Sequence, residues 1–180
     1  MKITVIGAGY VGLVSAACFS DFGYDVTCVD RDPRKLALLE SGRIPIYEQG
    51  LEPIVAANRA AGRLIFTDRM KEAVAQADVV LIAVGTPTRE GEDAADLSFV
   101  YAAGEEIAKA MQGFTVIVTK STVPVGTAAK LREIISRARP DGDFEVASNP
   151  EFMREGSAVE DFLRPDRVVV GVNSERAEKV

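Results

Sequence analysis

The stretch VIGAGYVGLV, residues 5–14, places three glycines, Gly7, Gly9 and Gly12, directly behind an apolar run. Met1 to Ile6 reads as a short buried strand, with Ile3, Val5 and Ile6 supplying β-branched side chains. From Tyr10 onward the pattern changes to a helix of small and apolar residues, Val11, Leu13, Val14, Ala16, Ala17 and Phe19. The G-x-G-x-x-G between them assigns each glycine a task. The first permits a tight turn, the second lets the backbone approach a pyrophosphate, and the third lets the helix pack close to the strand. The helix N-terminus then offers unpaired N–H groups and a positive dipole end to the anion.

Glycine-rich turns are common, so the reading depends on the next elements of the chain. DFGYDVTCVDRDP, residues 21–33, supplies a helix-ending Gly23, a second strand over Asp25 to Val29, and Asp30 at its end. Asp30 follows Gly12 by 18 residues, where an acid that binds the ribose hydroxyls is expected. Asp30 as a mere helix cap is the bland alternative, but Asp32, with Pro33 at the first helical position, already fills that role. A carboxylate at this point predicts NAD, although Arg31 beside it is a residue type that accommodates a 2′-phosphate.

Apolar strands and amphipathic helices alternate along the rest of the chain. Helices are expected over Pro33–Glu40, Leu51–Ala61, 69–77, Leu97–Met111 and Gly126–Arg137. Strands are expected at RLIFT, DVVLIAV, TVIVTKS, FEVAS and, after a long connection, RVVVGV. This order predicts an α/β, Rossmann-like, doubly wound fold with a mostly parallel sheet and helices on both faces.

Composition removes several classes of function. The 180 residues carry a net charge of −6 with no cluster of Lys or Arg, which argues against nucleic acid and anionic membrane surfaces as partners. No apolar run is long enough to span a bilayer, and the N-terminus lacks the pattern of a signal peptide. Histidine is absent, so proton transfer falls to carboxylates, lysines, tyrosines, hydroxyls or water. With two cysteines and no histidine, no metal site is expected. Cys18 and Cys28 fall inside a helix and a strand, as small buried hydrophobes that suit a reducing cytoplasm.

In an open parallel sheet the ligand lies beyond the carboxyl ends of the strands. Three polar turns follow predicted strands: GTPT at Gly85–Thr88, STVPVG at Ser121–Gly126, and NPEFMREG at Asn149–Gly156. Each alone reads equally well as a simple turn or a helix cap. All three should meet on the rim that carries the glycine turn. Glu151 and Glu155 stand at i and i+4, so on a helical turn they would share a face with Arg154 beside them. Two carboxylates near a cofactor suit general-base or water-orienting work.

Together GAGYVGL, VGTPT, KSTVPVG and NPEFMREG, in this order and spacing, resemble the nucleotide-sugar 6-dehydrogenases of the UDP-glucose/GDP-mannose dehydrogenase family. The resemblance covers the whole chain, and the last two motifs are its most specific part. It implies oxidation of a sugar C6 alcohol to a carboxylate with two NAD molecules in succession, and a nucleotide-sugar substrate such as UDP-glucose. It also implies a homo-oligomeric parent enzyme. By motif, Gly7, Gly9, Tyr10, Val11 and Gly12 would hold the pyrophosphate, with Asp30 and Lys35 around the adenosine ribose. Val84, Gly85, Thr86, Pro87, Thr88, Ser121 and Thr122 would line the rest of the cofactor path. Glu151, Phe152, Met153, Arg154 and Glu155 would border the nucleotide-sugar. Thr122 and Glu151 are expected to manage the hydrolytic water, while Glu155 approaches the nicotinamide.

The family's nucleophilic cysteine stands in a glycine-rich motif, and neither Cys18 nor Cys28 has such surroundings. VNSERAEKV, residues 172–180, reads as a helix opening behind a Ser174 cap. Residues 1–180 are accordingly expected to be an NAD-binding Rossmann domain, C-terminally truncated, without a linking helix or nucleotide-sugar domain. GDP-mannose and UDP-N-acetyl-sugar dehydrogenases share these motifs, and a non-catalytic NAD-sensing module is the alternative from another class. A β-hydroxyacid dehydrogenase would share the glycine fingerprint but would not explain STVPVG and NPEF.

Overall fold

The structure is a computed structural model that describes residues 1–88 and 95–180. Its elements run β1 (Lys2–Ile6), α1 (Tyr10–Asp21), β2 (Asp25–Val29), α2 (Pro33–Glu40), α3 (Leu51–Ala60), β3 (Leu64–Thr67) and α4 (Met70–Ala75). They continue with β4 (Val79–Ile82), α5 (Ser98–Ala110), β5 (Thr115–Thr119), α6 (Thr127–Ala138), β6 (Phe144–Ser148), α7 (Ala158–Leu163) and α8 (Glu175–Glu178). The six named strands form one sheet in the order β3-β2-β1-β4-β5-β6, every pairing parallel. This is the doubly wound arrangement, and its strand order reverses between β1 and β4.

Side-chain alternation divides the core between the two faces of the sheet. In β4 and β5, Leu81, Val116 and Val118 join the cluster under α1, α2, α3 and α7. Val80, Ile82 and Ile117 join the cluster under α4, α5 and α6. Strands covered on both faces read as continuous apolar runs, which is why DVVLIAV and TVIVTKS are legible as buried strands. The register is tight at the centre, with Ile3 opposite both Val26 and Val79.

Helix ends follow local chemistry. Asp32 caps α2 by accepting the Arg34 N–H at 2.9 Å, with Pro33 at the first position. Ser174 caps α8 in the same way, its hydroxyl accepting the Ala177 N–H at 3.2 Å. Two features differ from the sequence expectation. RVVVGV forms no named strand: only Gly171 bridges, antiparallel, to Ser148, and Val168, Val169 and Val170 stay exposed. In the connection before it, Ala158–Leu163 folds as α7 and packs on α1.

Candidate functional site

The glycine turn meets its three steric demands separately. Gly7 has φ +101°, and a Cβ there would lie 2.6 Å from the Ala83 carbonyl oxygen. A Cβ on Gly12 would lie 1.8 Å from the Gly7 carbonyl oxygen, so α1 can approach β1 only through a glycine. At Gly9, by contrast, an added Cβ would meet nothing within 4 Å among the described residues. That open space lies at a helix end that no side chain among the described residues caps, where the first-turn N–H groups have no intrahelical acceptor. A pyrophosphate fits both features: room at Gly9 and a bare, electropositive helix terminus.

Asp30 closes the turn from the end of β2. Its Oδ2 accepts the Ala8 N–H and the Lys35 ammonium, each at 2.7 Å, and its Oδ1 accepts the Asp32 N–H at 2.9 Å. Burial opposes its ionisation, but the Lys35 ammonium and the Asp32 and Ala8 N–H groups outweigh that and lower its pKa. The residue predicted to meet the ribose thus also braces the glycine turn. Next to it, the Arg31 guanidinium is engaged by the Glu106 carboxylate of α5.

The polar turns after β4, β5 and β6 come together on one rim. Lys120 N–H donates to the Ile82 carbonyl at 2.9 Å, and Asn149 N–H donates to that of Thr119 at 2.9 Å. The Ser121 hydroxyl donates to the Val84 carbonyl at 2.7 Å, tying the second turn to the first. Beyond Val84, Gly85 and Thr86, Pro87 accepts from Asp96 N–H at 2.7 Å, and Thr88 bridges Ala95. Thr122 projects into solvent one residue past Ser121.

The 149–157 loop departs from one expectation. Residues 151–154 are not helical, so Glu151 and Glu155 do not share a helix face. Instead the Glu151 carboxylate turns back to accept the Met153 N–H at 2.6 Å. Arg154 is held by Asp161 of α7, Nη2 to Oδ1 at 2.7 Å, which keeps the Asp161 carboxyl near pKa 2. Phe152 is exposed, with the Arg167 guanidinium 4.7 Å from its ring centroid. Glu155 is also exposed and lies near enough to Tyr10 for its charge to oppose ionisation of the phenol.

Two buried charged residues join the site that sequence reading does not single out. Lys120, 5% exposed, donates to Asn149 Oδ1 at 3.1 Å and lies 5.2 Å from the Phe162 ring centroid. Burial lowers its pKa, against the opposing pull of Glu151. Lys120, Asn149, Glu151, Phe152 and Phe162 line a cleft of about 960 Å³ on the α1–α7 flank of the rim. The other residue, Glu48, accepts the Tyr10 hydroxyl proton and the Gly156 N–H. Only the position of Lys120 at the head of KSTVPVG gives a signal; Glu48 gives none. Cys18 and Cys28 are free and buried, and burial pushes both thiols up to about 12.

Comparison with known proteins agrees with this geometry. Residues 1–180 match the family described as UDP-glucose/GDP-mannose dehydrogenase family, NAD binding domain. The chain is 63% identical over 173 residues to the UDP-glucose 6-dehydrogenase of Rhizobium meliloti, covering 96% of this chain and 40% of that protein. It is 53% identical over 176 residues to the UDP-glucose 6-dehydrogenase of Pseudomonas aeruginosa, covering 95% of this chain and 38% of the relative. Among solved structures, the UDP-glucose dehydrogenase of Pyrobaculum islandicum superposes with a TM-score of 0.94 at 42% identity, over 99% of this chain and 42% of that one. A GDP-mannose dehydrogenase ternary complex from Pseudomonas aeruginosa gives 0.95 at 35% identity, over 99% and 42%. The chain therefore spans about two-fifths of the length of the curated relatives it matches. Its glycine turn, its braced acid and its match from end to end make it an NAD-binding domain of the UDP-glucose/GDP-mannose dehydrogenase family.

Proposed function

We propose that this chain is the NAD-binding part of a UDP-glucose 6-dehydrogenase, which oxidises the C6 alcohol of UDP-glucose to the carboxylate of UDP-glucuronate. The observation that carries the reading is the meeting, on one rim, of an open pyrophosphate turn at Gly9 with the NPEFMREG loop. Bound NAD would supply the hydride acceptor. Gly7, Gly9, Tyr10, Val11 and Gly12 hold its pyrophosphate, and Asp30 with Lys35 holds the adenosine ribose. Val84, Gly85, Thr86, Pro87, Thr88 and Ser121 form the wall along its length.

The remaining roles fall to the Thr122 hydroxyl and the two loop carboxylates. Thr122 and Glu151 orient the water that the second oxidation consumes, and Glu155 borders the nicotinamide. Phe152, Met153 and Arg154 shape the edge toward the sugar. The covalent step belongs to a cysteine elsewhere in the parent protein, since thiols held near pKa 12 supply almost no thiolate at neutral pH. Residues 1–180 act as one cofactor-binding unit, with the nucleotide-sugar domain in a separate segment and the parent protein a homo-oligomer. Two free, buried thiols suit a reducing cytoplasm, a setting in which UDP-glucuronate serves polysaccharide synthesis.

The test is a comparison of sugars. The parent protein with UDP-glucose should release two NADH per sugar oxidised, and the present chain alone should bind NADH without turnover. Faster oxidation of GDP-mannose or UDP-N-acetylmannosamine than of UDP-glucose would replace the assigned substrate. Steady NADH production by the chain alone would overturn the separate location of the thiol.

A further inference from the structure

Glu48 is 7% exposed, and no lysine or arginine pairs with it among the described residues. A buried carboxylate without a cation is costly to desolvate, and an apolar side chain would pack there more cheaply. Its donors come from both halves of the site. Oε2 accepts the Tyr10 hydroxyl and, at 2.9 Å, the Gly156 N–H, while Oε1 accepts the Val159 N–H at 3.4 Å. Gly156 N–H is shared with the Tyr10 oxygen, also at 2.9 Å. The same hydroxyl lies 3.3 Å from the Arg154 carbonyl.

The carboxylate is itself well anchored. The Glu48 carbonyl accepts the Leu51 N–H at 3.3 Å at the start of α3, and Ile44 and Ile46 of the same segment pack on the core. Tyr10 is the first residue of α1, immediately after Gly9. Whatever settles on that helix terminus fixes the Tyr10 backbone, and its side chain reaches the loop through Glu48. Burial and the Glu48 carboxylate push the Tyr10 phenol up to about 12, so it remains a proton donor across physiological pH.

We propose that Glu48 is a positioning residue that couples occupation of the glycine turn to the ordering of the 149–157 loop, through Tyr10. The inference rests on the reading of that loop as the border of the nicotinamide and sugar. Filling the first part of the site would then preset the second, so that cofactor favours the loop conformation that receives the nucleotide-sugar. Linkage makes the preference reciprocal: a sugar nucleotide on the ordered loop would tighten the cofactor.

Hydrogen exchange read by mass spectrometry tests this on the 180-residue chain, alone and saturated with NADH. Glu48→Gln and Tyr10→Phe are compared with the parent, each checked for folding by circular dichroism. In the parent, NADH should slow exchange in 151–157 by roughly tenfold or more, the scale of a hydrogen bond to a charged group. In both variants the slowing of 151–157 should fall below about threefold, and in Glu48→Gln, which leaves the glycine turn untouched, NADH protection of 7–14 should persist. Variants that exchange faster by the same factor with and without NADH show a merely structural carboxylate and overturn the coupling, leaving the site reading intact. Protection of 7–14 without any of 151–157 in the parent overturns both. If Glu48→Gln does not fold, Tyr10→Phe, which keeps the carboxylate on Gly156 and Val159, decides the question.

Discussion

Asp30 Oδ2 accepts the backbone N–H of Ala8 at 2.7 Å, so the acid at the end of β2 and the glycine turn are a single hydrogen-bonded unit. Replacing Asp30 by Asn should therefore weaken two things at once. NADH affinity should fall roughly ten- to a hundredfold, as for loss of a charged hydrogen bond. Stability in urea should fall by about 1–3 kcal/mol, because Lys35 and the Ala8 N–H lose their anion. Fluorescence titration and urea denaturation measure the two separately; a loss of affinity with unchanged stability would show that the brace is dispensable.

Cofactor choice depends on the neighbour. With Arg31 engaged by Glu106, the guanidinium is not free for a 2′-phosphate, and NADH should bind more tightly than NADPH. Asp30→Ser combined with Glu106→Gln removes the repelling acid and releases the arginine, and should narrow or invert that preference. Calorimetric titration with both cofactors is the check. Tighter NADPH binding by the parent would reverse the assignment.

The glycines predict opposite phenotypes from similar substitutions. Gly9 has φ −75° with open space at its Cβ, so Gly9→Val should abolish NADH binding while changing stability by no more than about 0.5 kcal/mol. Gly12→Ala places a carbon against the Gly7 carbonyl and should destabilise the fold by about 1–3 kcal/mol or more. Thermal melts set beside binding curves separate the two. A Gly9→Val chain that binds NADH like the parent would place the pyrophosphate elsewhere.

Acid should loosen the NPEFMREG loop before it unfolds the sheet. The Arg154 guanidinium holds the Asp161 carboxyl near 2, below its usual 3.8. A depressed carboxylate contributes stability above its unfolded pKa and loses it as pH falls through the folded value. The loop anchor should thus be intact above pH 4 and fade between about 4 and 2. NMR titration of the Asp161 carboxyl, with Asp161→Asn as the control lacking that transition, reads it directly.

Both thiols should stay silent toward alkylating reagents at neutral pH until the chain unfolds, because burial holds them at about 12. Cys18→Ser and Cys28→Ser should lower stability more than NADH affinity. Rapid labelling of either cysteine in the native chain would contradict its burial.

Gly7, Gly9, Gly12 and Asp30 are legible in sequence because their spacing along one strand–turn–helix–strand unit is itself the signal, even though the atom that crowds Gly7 is the distant Ala83 carbonyl. Strand positions are equally plain where both faces are buried. Glu48 is not legible, because its partners Tyr10 and Gly156 stand 38 and 108 residues away and a carboxylate in a loop ordinarily faces water. Lys120 is hidden by α1 and α7, and α7 itself shows too short a pattern to announce a helix. RVVVGV misleads for the converse reason. Its β-branched run states a preference for extended backbone, but a strand also needs a neighbour along its length, and only Gly171 has one.

The position of β1 at the middle of the sheet has a kinetic consequence. Of the six named strands it is synthesised first, and one of its edges is satisfied by β2 within about 25 residues of synthesis. Its other edge waits for β4, where Ile3 faces Val79. Until then a strand of Ile3, Val5 and Ile6 presents unpaired N–H and C=O groups to whatever is near. Long-range parallel pairing is intrinsically slow to form. The interval between residues 29 and 82 is therefore when a nascent chain is most exposed to aggregation, and when a chaperone holding the N-terminal strand would most improve its yield.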